Sequence, residues 1–333
     1  MHRKDLLFGV LIGFLLMLMA GCAAVPSGTG SGTDQSHAGG NTKRAIRIAH
    51  QNDAQILIGQ AKGWFDEEFS RDGTEVVFTR FVAGPPIMEA FSAGRQDVGT
   101  AGDMPPVAAR SSGVGVQVIG IAGRTQTGNT VVVRADSSIH SVQDLKGRKL
   151  AAQVGSSQYH YALLLLEQKG LKDEVSVVNI QLTELGAALE AGTVDAIVGN
   201  ERLAGTLVHK GIGRVLPDSR GIKPGLSLYV ARTEFIEEHP DLVERFLKVM
   251  KRINDYIQAN PEEAAVLAEE LTDYASPVMQ QIFQDTTYDL RIRPEDVQQL
   301  EVVRDFLLAT DVIKRDYPIS ELIEPTYAEA AES

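Results

Sequence analysis

The 333-residue chain, 44% hydrophobic and 23% charged, is long enough to bury a substantial core and excludes disorder as its global state. With 32 basic against 44 acidic residues and a net charge of −12, it lacks the cationic surplus that phosphate binding needs, so no nucleic acid is expected as a partner. Its one cysteine, Cys22, leaves no disulfide framework and no cysteine-ligated zinc site to expect in the folded body.

In chain order, His2, Arg3 and Lys4 make a basic start, Leu6 to Met19 an apolar run, and Met19-Ala20-Gly21-Cys22 a small-residue close, the pattern of an export signal. Ending on cysteine, it resembles a bacterial lipobox, which implies diacylation of Cys22 and cleavage before it; Met19 stands where leucine is usual. An uncleaved membrane anchor is the alternative, but the run falls short of the ~20 residues of a spanning helix. Residues 1–21 are therefore expected to be a lipoprotein signal peptide and 22–43 a lipid-anchored linker. Gly, Ser, Thr and Ala dominate Ala23 to Lys43, so no core can form there, and a flexible chain of that length reaches roughly 25 Å.

From residue 44 onward, β-branched runs alternate with helical patterns, which predicts α/β architecture with parallel strands. Strands are expected at Ala45–His50, Glu75–Phe81, Asp97–Ala101, Gln117–Ala122, Thr130–Arg134, Lys149–Gln153, Val175–Ile180, Ala196–Gly199 and Leu226–Ala231. Among the expected helices are Ala54–Phe69, Met104–Ser112, Ser157–Lys169, Arg202–His209, Leu242–Ile257 and Pro261–Leu271, the C-terminal ones read as scaffold. Irregular stretches at Gly123–Asn129 and Pro217–Gly225 bracket the middle series, which predicts two lobes, 44–124 plus 224–333 and 125–223, joined by a two-crossing hinge.

No catalytic spacing is present. Gly155-Ser156-Ser157-Gln158 lacks the second glycine of a nucleophile elbow, Gly123 to Asn129 lacks the lysine of a P-loop, and the seven histidines show no HxH or HExxH spacing. Packed or surface histidine is the expectation, although His50 and His160 adjoin predicted ligand loops. Neither an enzyme nor a cofactor or metal is expected.

In α/β sheets ligands sit beyond the strand C-termini, where helix starts present unpaired amides and the positive end of the macrodipole. Three turns qualify: Gln51-Asn52-Asp53, Ala101-Gly102-Asp103 and Gly155-Ser156-Ser157-Gln158. Candidate ligand-binding residues are Gln51, Asn52, Gly102, Asp103, Gly155, Ser156, Ser157, Gln158, Asn200 and Glu201, and an oxyanion is expected to be held without a buried arginine. The plainer reading makes Asp103 and Ser156 helix caps and Glu201 a first-turn acid.

Lys62-Gly63-Trp64-Phe65, Phe91-Ser92-Ala93-Gly94, Asp97-Val98-Gly99, Gly102-Asp103-Met104-Pro105-Pro106, Val142-Gln143-Asp144-Leu145-Lys146-Gly147, Val154-Gly155-Ser156-Ser157 and Val194-Asp195-Ala196-Ile197-Val198 together resemble the nitrate, sulfonate and taurine class of ABC transporter substrate-binding proteins, and most closely the aliphatic sulfonate binders. The resemblance implies a type II periplasmic binding protein fold with oxyanion donors on the Gly-Asp and Gly-Ser-Ser turns. It also implies an extracytoplasmic receptor, monomeric and lipid-anchored on the outer face of the cell membrane (the periplasmic side of a Gram-negative cell), that passes a small organic anion to an ABC permease and its ATPase. After Val198 the chain reads Gly199-Asn200-Glu201-Arg202, where sulfonate binders often carry Trp-Asp-Pro, so Asn200 and Glu201 keep open an amine-bearing ligand such as taurine or a different organic anion, and nitrate-type binding is a separate alternative within the class. A ligand-sensing module and an enzyme of the same fold are the remaining alternatives.

Overall fold

A computed structural model describes residues 44–217 and 220–333. The signal segment, Cys22 and the linker lie outside the described residues. The chain opens with β1 (Ala45–His50), α1 (Ala54–Ala61), α2 (Trp64–Phe69), β2 (Glu75–Arg80), α3 (Gly84–Ser92), β3 (Val98–Gly102), α4 (Met104–Ser111) and β4 (Val116–Thr125). It continues through β5 (Asn129–Arg134), β6 (Lys149–Ala152), α5 (Ser157–Gln168), β7 (Ser176–Asn179), α6 (Leu185–Glu190), β8 (Ala196–Asn200), α7 (Glu201–His209) and β9 (Gly213–Val215). The last third holds β10 (Gly225–Arg232), α8 (Thr233–Glu238), α9 (Pro240–Ala259), α10 (Pro261–Leu271), α11 (Ser276–Asp285), β11 (Thr286–Thr287), α12 (Pro294–Ala309) and α13 (Thr326–Ala331).

These strands form two sheets among the described residues, in the orders β11-β4-β10-β3-β1-β2 and β7-β6-β8-β5-β9. Each is covered by helices on both faces. Phe65, Phe246, Met250 and Ile253 pack on one side of the first sheet, and Ile87, Phe91, Val107, Val303 and Leu307 on the other. In the second sheet, Leu150, Tyr161 and Leu165 fill one side and Leu185, Ile197 and Leu207 the other. Strands covered on both faces read as near-continuous apolar runs, as Ala196–Val198 of β8 does.

Two expectations change. The helix expected over Ala54–Phe69 is broken, because Gly63 adopts a left-handed φ of 70° that ends α1 and starts α2. The sheets are mixed rather than parallel: β10 runs antiparallel to β3 and β4, and β5 antiparallel to β8 and β9. The cause is the path of the chain. β4 ends where β5 begins, and β10 starts again at that same edge, so the strands after each crossing run away from the edge at which β1, β3, β6 and β8 end.

The crossings lie between Thr125 and Asn129 and between Val215 and Gly225. The stretch expected to be irregular from Gly123 is strand as far as Thr125, which pairs with Gly225. At this point the two passages of chain touch backbone to backbone: a Cβ on Gly128 would lie 2.3 Å from the Gly225 Cα, and one on Gly225 2.7 Å from the Gly128 Cα. Gly225→Ala should therefore push the crossings apart and lower stability by about 1–3 kcal/mol. Urea unfolding of the variant checks this, and a midpoint equal to that of the natural chain contradicts it.

Candidate functional site

The strand ends and crossings enclose a cavity of about 190 Å³. Its wall takes residues from the starts of five helices: Ala54 and Gln55 of α1, Gly84 and Pro85 of α3, Pro105 of α4, Ser157 and Gln158 of α5, and Glu201 and Arg202 of α7. Of the residues expected from the sequence, Gln51, Gly102, Asp103, Ser156, Ser157, Gln158, Asn200 and Glu201 lie on this wall. Asn52 and Gly155 do not. Both have a left-handed backbone, φ 62° and 80°, and turn the chain from a strand into the following helix.

Two side-chain ties join the sheets across the cavity. Arg202 Nη1 donates to Asp53 Oδ1 at 3.1 Å, linking the start of α7 to the end of β1. Burial alone would raise the Asp53 carboxyl, but the Arg202 charge, the Thr100 hydroxyl and the Gln51 amide outweigh it and hold it below its ordinary value. In the second tie, Asp103 accepts from Ser157 Oγ at 2.5 Å, from Lys223 Nζ and from Gln299 Nε2 at 3.1 Å. Burial again opposes the charged carboxylate, and Lys223 with its hydrogen-bonding neighbours prevails and lowers it.

Cations stand in the cavity that the sequence reading did not place there. Arg202 and Lys223 both line the cavity, yet each already faces a carboxylate. The Asp103 and Lys223 side chains are 1% and 5% exposed, so losing one partner strands the other charge in a poor dielectric.

Main-chain donors are distributed unevenly. The first turn of α4 holds Pro105 and Pro106 and that of α3 Pro85 and Pro86, and proline has no N–H. The Gly102–Asp103 turn therefore offers few amides, and Asp103 makes no side-chain cap bond. At α7 the Asn200 side chain accepts from Leu203 N at 3.0 Å, and the Glu201 carboxylate takes its own amide. At α5 the Ser156 hydroxyl caps Tyr159 N at 3.3 Å, leaving the amides of Ser157 and Gln158 in the first turn. α1 has no side-chain cap bond, so Ala54 and Gln55 present theirs as well.

The sequence reading missed the apolar wall. Met279, Ile282 and Phe283 of α11, with Thr286 and Tyr288 after it, line the cavity, so this part of the C-terminal region is more than scaffold. α11 is amphipathic like its neighbours, and nothing local marks it as reaching the site. His50 and His160 are buried and lie off the cavity wall. The His160 ring stacks on Phe306 of α12 at 4.0 Å with both nitrogens unpartnered, and burial pulls its pKa down to about 4. Among the described residues no cluster of His, Cys, Asp and Glu could hold a metal ion.

Lys223→Met should cost about 3–5 kcal/mol, with part restored when Asp103→Asn is added, as a double-mutant cycle in urea would show. Because the folded protein disfavours protonated His160, unfolded chains bind the extra proton between the ordinary value near 6.5 and about 4. Stability is complete above that window and falls as pH drops through it, by at most about 1.4 kcal/mol per pH unit. His160→Phe, which keeps the stack, should flatten this part of the profile; Asp53 and Asp103, with lowered values, lose their contribution only at more acid pH.

A protein of Bacillus subtilis (strain 168) named "Putative aliphatic sulfonates-binding protein" is 29% identical over 335 residues, spanning 99% of this chain and 97% of its own. Among solved structures, the periplasmic aliphatic sulphonate binding protein from Escherichia coli matches with a TM-score of 0.74 at 23% identity, over 85% of this chain and 93% of that one. The alkanesulfonate-binding protein from Xanthomonas axonopodis pv. citri, bound to MOPS, matches with a TM-score of 0.74 at 20% identity, over 84% and 98%. The fold is accordingly the α/β fold of periplasmic binding proteins. The family described as NMT1/THI5 like matches residues 50–264, more than half of the chain, and the protein belongs to that family.

Proposed function

We infer that the protein is an extracytoplasmic solute receptor that holds an aliphatic sulfonate or a related small organic anion in this cavity and makes or breaks no bond. The observation that carries the reading is the pair of amide-bearing helix starts, α1 beside the first sheet and α5 beside the second, opening on one cavity whose cations are already paired. Oriented amides bind an oxyanion without a counter-ion. Met279, Ile282 and Phe283 give a short alkyl body an apolar surface on which to rest.

In this reading Gln51, Ser157 and Gln158 meet the ligand, whereas Asp103, Ser156 and Asn200 act through the backbone they hold. Segments 44–124 plus 224–333 and 125–223 act as two lobes, and the Asp53–Arg202 and Asp103–Ser157 contacts form as they close. Ligand that touches both lobes favours the closed state by its differential affinity. Cys22 carries the lipid anchor on the outer face of the membrane, and the partners are a permease and the ATPase that drives it. The full-length likeness to the Bacillus protein supports this assignment.

Calorimetry with methane-, ethane- and butanesulfonate, taurine, nitrate and sulfate tests it. At least one organosulfonate should bind, and at a hundred times its Kd should add about 2.7 kcal/mol to unfolding stability. Nitrate and sulfate, with no apolar body for the α11 wall, should bind more weakly. No binding by any of the six would overturn the assignment.

A further inference from the structure

We propose that the seam between α5 and α12 is an acid-sensitive latch: His160 must leave Phe306 and meet water to take a proton, so mild acid separates the two lobes and releases the anion. The inference rests on the two-lobe receptor reading above and adds regulation to that same site.

α5 lies in the segment 125–223 and carries the Ser157 and Gln158 amides, whereas α12 lies in the segment 224–333. Ser157 and His160, three residues apart, share one face of α5, and Gln299 and Phe306, seven apart, share one face of α12. These two faces meet. Gln299 Nε2 and Ser157 Oγ both donate to Asp103, and one turn further along α5 the His160 ring stacks on Phe306 with centroids 4.0 Å apart and planes at 22°. The contact that places the anion-holding amides is therefore the contact that buries the histidine.

His160 is fully buried, and neither ring nitrogen has a hydrogen-bond partner. A ring needed only for its shape would be cheaper as phenylalanine, because each unpaired buried nitrogen opposes the packing. The charges acting on the ring are Lys223 of the second crossing, which opposes protonation, and Asp103, which favours it, while α12 presents the uncharged Phe306. Lys223 and Asp103 are paired with each other, so burial decides and holds the ring neutral down to about pH 4. Separation of α5 from α12 hydrates the ring and returns it towards its ordinary value near 6.5. Between these values the separated arrangement binds the extra proton, and ligand affinity falls as pH drops, by at most about tenfold per pH unit. The acids on the wall do not imitate this. Asp53 and Asp103, with lowered values, stay ionised in the window, and Glu201, raised by burial, loses negative charge on acidification, which favours an anion.

Calorimetry on the full chain with propane-1-sulfonate, which stays ionised throughout, at about pH 7.5 and about pH 5 tests the latch. Binding should be about tenfold weaker or more at the lower pH. The His160→Phe chain, which keeps the stack and takes no proton, should bind alike at both. By reciprocity, saturating ligand should lower the pKa of His160 followed through its ring protons by NMR, and this measurement on the natural chain serves where the variant does not fold. Equal affinity at the two pH values, an undiminished loss in His160→Phe, or a His160 pKa unmoved by ligand each overturns the latch and leaves the sulfonate receptor standing. No binding of the sulfonate at either pH overturns the receptor reading and the latch with it.

Discussion

The arrangement of the cavity depends on the pairing of its cations with carboxylates from the other side. Asp53 holds Arg202, and Asp103 holds Lys223. A free guanidinium here would take any anion of suitable size as an ion pair. On the proposed reading, with both cations engaged, selectivity rests on groups with fixed direction: the amides at the starts of α1 and α5, and the apolar face of α11. Directed, neutral donors discriminate by shape, which suits a tetrahedral head on a short carbon chain.

On the proposed reading the same pairs connect binding to motion. Asp53 and Asp103 follow strands of the first sheet, while Arg202 and Ser157 open helices beside the second. Gln299 of α12 also donates to Asp103, and Phe306, on the same helix, stacks on His160 of α5. Together they give this arrangement of the two sheets several contacts that their separation would break. His160, buried with two unpartnered nitrogens, opposes them, because water would satisfy those nitrogens. On the proposed two-lobe reading, closure is a balance that a ligand can tip.

What was legible in the sequence was what local pattern controls. β1 and α10 fall where alternation and helical periodicity place them, and the strand-end rule led to Gln51, Ser157 and Gln158 because strand, turn and helix are adjacent in sequence. Strand direction was not legible. β5 and β10 are antiparallel because of where the chain crosses between sheets, which no short window records. Nor were the ion pairs, whose partners lie 149 and 120 residues apart, nor the α11 wall. The proline pairs at α3 and α4 are different: their missing donors could have been read directly, yet Pro105-Pro106 served only as a mark of resemblance.

The central claim, that neutral main-chain donors rather than a charged side chain hold the anion, is tested most directly by a crystal structure of the protein with a bound organosulfonate. The account predicts sulfonate oxygens within hydrogen-bond distance of the Ser157 and Gln158 amides, with Arg202 still on Asp53 and Lys223 still on Asp103. A sulfonate bound to Arg202 or Lys223, with its carboxylate partner displaced, would contradict it.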